Sequence, residues 1–352
     1  MSVSVNRSTV ARIPLGTLGI PLGLAGLAGA WGAVSEYLGV PGAISEVVWI
    51  AAAVSWVWLI IAHTIRGSRS TERLIDQLRH PAQGPLAALV PVVGMLLGAH
   101  LHVYWVAGGL VLTIASIVAA ALYGSWMLSF WLSGNLKLES VHGGYFVPLV
   151  SAGLVAAIAA EEINLVPLAI ASLAVGAFFW VVVFTLLVAR MAFRSELPAP
   201  LLPSLAIIVA PPAVAGMGWF ALSGEVGGPV GLSLAGLTAV FALLQLALVP
   251  RFLKLPFSLG FWSFTFPYAA TVSYAADWLN ATRPAGWEAI IVALVSVVTL
   301  FILTIAARSI VLLARARRVA RIAARQLSAS QVGTRSVVAL PVTSGVPTLR
   351  AA

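Results

Sequence analysis

The feature that most constrains this chain is the recurrence of apolar runs about 20 residues long, the length at which a helix crosses a ~30 Å hydrocarbon core. Ten of them follow one another, near 13–33, 46–65, 85–105, 107–130, 143–160, 165–189, 201–222, 230–250, 259–279 and 287–312. Composition agrees with a lipid environment. Hydrophobic residues make up 61% of the chain and charged residues 9%, so too little polar surface remains to face water. Inside lipid every backbone polar group must be satisfied within the protein, and helices of this length do so. The predicted fold class is therefore an all-α membrane protein with ten transmembrane helices. The absence of cysteine excludes a disulfide framework, a thiolate metal cluster and sulfur redox chemistry. Small-residue triplets in 20–33 resemble a leader-peptidase site, but the run is long and its prolines and glycines recur in later spans, so the first span is expected to stay.

Orientation follows from the basic residues, because positively charged loops resist translocation. Alternating the spans puts Arg7, Arg12, Arg66, Arg69, Arg73, Arg79, Lys137, Arg190, Arg194, Arg251, Lys254 and the eight arginines from Arg308 onward on one side, 19 of the 20 basic residues. Only Arg283 falls opposite, where Glu36, Glu46, Glu161, Glu162, Glu225, Asp277 and Glu288 gather, seven of the eleven acids. Both termini are thus expected in the cytoplasm, with the protein multi-pass in the cell membrane. Residues 1–12 read as a cytoplasmic N-terminus, 13–313 as the membrane domain and 314–352 as a basic cytoplasmic tail. "RARRVARIAARQL" (315–327) continues the last helix with a basic face suited to anionic lipid headgroups, and 328–352 lack helical period and are expected to be disordered. Nucleic acid is not an expected partner.

Odd and even spans differ. Proline lies inside or near the start of each odd span, at Pro14 and Pro21, Pro85 and Pro91, Pro148, Pro203 with Pro211 and Pro212, and Pro267, whereas even spans carry it only at their ends, as at Pro167 and Pro250. An interior proline deletes a backbone hydrogen bond, and the freed carbonyl must meet protein or water rather than lipid, so the odd helices are expected to face inward with kinks at Pro14, Pro21, Pro91, Pro148, Pro211 and Pro267. Glycine follows the same division, with Gly19, Gly23, Gly94, Gly98, Gly153 and Gly216 in odd spans. Small residues there serve close helix packing or leave room for a lumen, and with the prolines they predict five helical hairpins, each with one bent inner and one straight outer helix. Taking Pro21, Pro91, Pro148, Pro211 and Pro267 as markers, the repeat drifts between 56 and 70 residues.

The span centres hold essentially no ionisable residue, which disfavours a carboxylate-lined cation path. A neutral path with arginines at its cytoplasmic mouth suits anions that bind weakly and leave quickly, although the positive-inside bias by itself explains most of those arginines. His100-x-His102 with Glu161-Glu162 suggests a metal site on residue type alone. Residues two apart on a helix diverge by ~200°, so interfacial histidines are the simpler reading and no metal or other cofactor is expected. His80-Pro81 reads as a turn. No nucleophile–base constellation, phosphate loop or nucleotide motif is present, so an enzyme is not predicted, and most of the twelve tryptophans fall near span ends as interfacial anchors.

The stretches "RHPAQGPLAALVPVVGMLLGA" (79–99), "FRSELPAPLLPSLAIIVAPPAVAG" (193–216) and "FSLGFWSFTFPYAA" (257–270) resemble corresponding segments of the tellurite-resistance/C4-dicarboxylate transporter family, and "IPLGTLGIPLGLAGLAGAW" (13–31) and "GGYFVPLV" (143–150) match more loosely. That family includes the plant slow anion channels and fungal malate and sulfite transporters. The resemblance covers roughly residues 12 to 310 in unbroken order. It implies ten helices in five pseudo-symmetric hairpins, an inner ring of five proline-bent helices around a central pore, a homotrimer with one pore per subunit, and small inorganic or organic anions as substrates. It also implies a gate at the phenylalanine directly before the ninth-span proline, which here is Phe266. From the residues alone, Phe266 reads more readily as a core aromatic wedged between helices, and it is the resemblance that turns the reading toward a gate. Pro21, the Pro211-Pro212 pair and Asp277 depart from the family pattern. The function expected is an anion channel or channel-like exporter, and tellurite, sulfite, nitrate, chloride and malate all fit. The alternative, a proton-coupled dicarboxylate, sulfite or tellurite carrier, calls for a titratable midplane residue that the sequence does not supply.

Overall fold

The computed structural model describes residues 11–337, and every regular element among them is helical. The α-helices are α1 (Gly19–Leu38), α2 (Ala43–Ser68), α3 (Leu74–Arg79), α4 (Leu89–His102), α5 (Val106–Leu132), α6 (Ala152–Glu162), α7 (Val166–Phe193), α8 (Ala210–Ser223), α9 (Pro229–Phe252), α10 (Thr265–Thr282) and α11 (Trp287–Val337). Five of them, α1, α4, α6, α8 and α10, are entered through a tighter helical lead-in. Those lead-ins are the 3-10 turns Leu15–Leu18, Gly84–Ala88, Gly143–Phe146, Ala199–Val209 and Leu259–Phe264, the third being followed by a π-helical turn at Val147–Ser151.

The prolines explain these junctions. The first turn of an α-helix has N–H groups without intrahelical partners, so a residue lacking an N–H is tolerated there. Pro21, Pro91, Pro212 and Pro267 are each the third residue of their α-helix, Pro211 is the second residue of α8, and Pro148 lies in the π-helical turn. At each of these prolines the helix type changes close by, so they sit at the start of an α-helix or in the turn before it and not in a helix interior. Position in the repeat favours Pro212 over Pro211 as the α8 counterpart of the others. Pro14 is corrected more fully: it precedes its segment as the N-cap of Leu15–Leu18 in extended conformation, where its carbonyl accepts from Thr17 N–H at 3.1 Å and Thr17 Oγ1 at 2.8 Å.

Consecutive helices pair as hairpins, α1 with α2, α4 with α5, α6 with α7 and α8 with α9. The five inner helices touch in the cyclic order α1, α4, α6, α8, α10 and back to α1, which closes a ring. On α11, Ile291 and Val295 pack with Ala30 and Val34 of α1 and Ala276 of α10, and Trp31 donates to Thr299 at 3.0 Å. Two hairpin turns are tight because Gly39 and Gly224 end α1 and α8 at φ +65° and +67°, a region costly for side chains.

Burial separates the two sets. Among the inner spans that are apolar enough to cross a membrane, 50 to 89% of residues are buried, against 11 to 28% in the outer ones. What the outer helices expose is apolar, including Trp58, Leu122, Phe178, Val181, Leu246 and Leu300, a belt that only lipid or another apolar surface covers. This is an all-α, multi-pass integral membrane protein. Among the described residues nine helices have the length and hydropathy to cross a bilayer. The α10 segment is not one of them, because Thr265, Thr271, Ser273, Asp277 and Asn280 dilute its apolar character.

The chain divides into two compact units at Ile305. In the second the helix continues from Ala306 as far as Val337 with Arg315, Arg317, Arg318 and Arg321 exposed. Residues 328–337, expected to be irregular, are helical: Ala and Arg upstream favour helix and no proline intervenes before Pro341. The remaining parts of the expected termini, 1–10 and 338–352, lie outside the described residues.

Candidate functional site

The site begins on α10. Phe266, Ala270, Ser273 and Asp277 follow one another at steps of four, three and four, which places them on one helical face. That face lines a cavity of about 650 Å³ whose other walls come from α1 (Ala25, Gly26, Gly29), α2 (Ser45, Glu46, Trp49), α4 (Leu96, His100), α6 (Ile158, Glu162) and α8 (Val214, Met217). A second, smaller cavity of about 50 Å³ is lined from all five inner segments: Gly16 and Gly19, Leu86 and Leu89, Val147 and Ser151, Ile207 and Ala210, and Trp262, Ser263, Phe266 and Pro267. Phe266 is the single residue common to both linings.

Its neighbours in the aromatic stretch behave differently. Phe264 is buried and packs its ring against Phe252, Phe261, Tyr268 and Phe301 at centroid distances of 4.9, 5.5, 5.7 and 6.2 Å. Phe266 is half-buried and, among the described residues, takes part in no ring–ring contact. Phe264 is thus the packed core aromatic of this stretch.

The electrostatics of the two cavities contrast. The larger is lined by four carboxylates from four helices, Glu36, Glu46, Glu162 and Asp277. Asp277 Oδ1 accepts from Tyr37 Oη at 2.7 Å, bridging α10 and α1, and His100 Nε2 lies 3.1 Å from Glu46 Oε2 while its ring stacks on Trp49. The lining of the smaller cavity has Ser151, Ser263 and Trp262 as its polar side chains and no ionisable one. Neither lining includes Lys or Arg, so the expected basic vestibule is not part of these walls. The arginines near the other ends of the inner segments hold connections together instead. Arg12 Nε donates to the Glu72 carbonyl at 2.8 Å and Arg66 Nε to the Ala11 carbonyl at 2.8 Å. The buried Arg190 donates to carbonyls of Glu139, Ser195 and Glu196, Arg194 pairs with Glu139 at 3.3 Å, and Arg251 pairs with Glu196. His100 and His102 take separate partners, His102 Nδ1 lying 3.0 Å from the Val106 carbonyl, and the described residues contain no group of three His, Asp or Glu arranged for a metal.

The glycines expected to line a lumen are mostly contact residues. A Cβ built on Gly98 would sit 2.7 Å from Thr113 N of α5, one on Gly153 2.7 Å from Gly176 Cα of α7, and one on Gly216 2.6 Å from Tyr274 Oη of α10. Gly94 meets Ser116, and Gly23 meets the Thr265 side chain. Of the six, Gly19 lines the smaller cavity. The reason is geometric: where two helices approach backbone to backbone there is no room for a side chain, so small residues concentrate at that contact. Sequence reading passed over Gly26, whose Cβ would lie 2.9 Å from Phe266 Cδ2, and the Tyr37–Asp277 bond. The three-residue step from Gly26 to Gly29 and Gly32 on one helix was the available signal for the first.

A closed ring of inner helices, an outer apolar belt and two cavities whose linings share one aromatic side chain fit an integral membrane protein of the solute-transport class. The chain belongs to the voltage-dependent anion channel (SLAC1) family, whose model matches residues 12–310. It is 23% identical over 269 residues to a tellurite resistance protein TehA homolog of Haemophilus influenzae, covering 75% of this chain and 80% of that protein. It is 30% identical over 155 residues to the S-type anion channel SLAH2 of Arabidopsis thaliana, covering 43% of this chain and 28% of that one. Membership places the chain among proteins of anion transport.

Proposed function

We propose that this protein is a channel or channel-like exporter that passes small anions along the axis of its inner ring, closed by the benzyl group of Phe266. In this reading α10 with its lead-in is the tenth span, both termini are cytoplasmic, the membrane is the cell membrane and three copies associate, each with its own path. The protein works by permitting passage and performs no covalent chemistry.

The observation that carries the reading is that Phe266 is the one side chain bordering both cavities. An anion moving between them must pass the ring, and an apolar stopper there raises the cost of shedding water while offering no compensating contact. The neck has no fixed charge to trap an ion, which suits fast release. All five inner segments run in the same direction, so their positive dipole ends gather at the cytoplasmic entrance and attract anions without a binding cation. The names of the relatives associate one with tellurite resistance and the other with anion conduction, and for this chain both suggest small oxyanions or halides.

Single-channel or macroscopic anion currents of the purified protein in planar bilayers test this reading. Phe266→Ala is expected to raise conductance on the order of tenfold, with the order of permeant anions unchanged, since the neck's walls stay as they are. An unchanged or abolished current in a folded variant overturns the gate.

A further inference from the structure

We infer that Gly26 of α1 is the seat of the Phe266 ring, a positioning residue that fixes how far the ring projects into the path; the inference rests on the reading of Phe266 as the closure. Along its length α1 lies close against the gate helix and its lead-in. Gly19 faces Trp262, Gly23 faces Thr265 and Gly26 faces Phe266 and Ala269, and at the far end Tyr37 is bonded to Asp277. Of the three glycines Gly26 alone opposes a side chain that has free space on both sides. A Cβ there would lie 2.9 Å from Phe266 Cδ2, 3.2 Å from Ala269 Cβ and 3.5 Å from Phe266 Cα. The first distance is shorter than any two carbons tolerate, so something must yield. Ala269 is fully buried and its Cβ is fixed to the helix backbone. The phenyl ring turns about two soft dihedrals and abuts cavities, so the ring moves, away from α1 and across the path.

Gly29 supplies the comparison within the same helix and the same cavity. It lines the larger cavity as Gly26 does, yet a Cβ on it meets nothing within 4 Å. The two glycines therefore differ in what a Cβ would meet, Phe266 and Ala269 of α10 at Gly26 and nothing at Gly29.

The test is a double-mutant cycle on anion conductance in bilayers, with Gly26→Ala and Gly29→Ala each placed in the parent and in the Phe266→Ala background. Gly26→Ala is expected to lower conductance at least about threefold in the parent and to leave Phe266→Ala unchanged, while Gly29→Ala has no effect in either. A Gly26→Ala effect of equal size in both backgrounds, or none in the parent, overturns the seat. If Phe266→Ala itself fails to raise conductance, the gate reading falls first and is identified as the failure. Thermal midpoints in detergent establish that each variant is folded. Should Gly26→Ala not fold, Gly26→Ala with Ala269→Gly removes the second contact and leaves the one with the ring, and the same cycle is run on that pair.

Discussion

His142 caps the third inner segment and shows how one side chain ties the fold to pH. It is buried at the N-cap of Gly143–Phe146, its Nδ1 accepts from Gly144 N–H at 3.1 Å, and its ring meets Tyr145 edge-to-face at 5.2 Å. Burial, reinforced by the Arg190 charge and partly opposed by a backbone hydrogen bond, pushes the imidazole down to about 4 from an ordinary value of 6.5. A base whose folded pKa is depressed leaves stability intact above the unfolded value and erodes it as pH falls, because the unfolded chain takes up the proton first. Stability is thus expected to be level above about pH 6.5 and to fall toward pH 4, by about 3 kcal/mol at most. Thermal unfolding in detergent between pH 7 and pH 4 measures this, and His142→Asn, which keeps an acceptor and does not titrate, should flatten the slope. Phe266 belongs to the same scale. The proline after it marked it from sequence, yet only its neighbours separated it from Phe264, two residues away and fully packed.

At the scale of helices, glycine decides how closely the hairpins close. In α6 a Cβ on Gly153 would meet Gly176 Cα and N of α7 at 2.7 Å, so Gly153→Ala forces two backbones apart. A loss of about 1–3 kcal/mol is expected, the usual penalty of overpacking, read as a lowered thermal midpoint. Gly236 in α9 has nothing within 4 Å of the same position, and Gly236→Ala should be neutral or mildly stabilising because alanine is the better helix former. The elements themselves were legible: the ends of most apolar runs lie within about three residues of the helices found. The lead-ins were not. A proline announces that a regular α-helix cannot run through it, but whether the chain bends, tightens to 3-10 or widens to a π turn depends on how the neighbouring segments crowd it.

For the whole molecule, charge asymmetry fixes the expected orientation, and the lack of native cysteine makes it directly measurable. Single cysteines at Ser195, exposed between α7 and α8, and at Gly227, exposed between α8 and α9, should react with a membrane-impermeant maleimide from opposite sides, Ser195→Cys from the cytoplasm and Gly227→Cys from outside. Labelling of both from one face would contradict the topology. Hydropathy, proline placement and the basic-residue bias determined by themselves that the chain enters lipid, that it does so as helices and that alternate helices face inward. These are local consequences of backbone hydrogen bonding and of solvation, and each is written within a window of some twenty residues. Only the tertiary structure decided that Gly94, Gly98, Gly153, Gly216 and Gly23 serve contacts, that four carboxylates from four helices share one cavity, and that Gly26 meets Phe266 across 240 residues of chain. Which face of a helix meets which neighbour is settled when the ring closes, and no single segment carries that information.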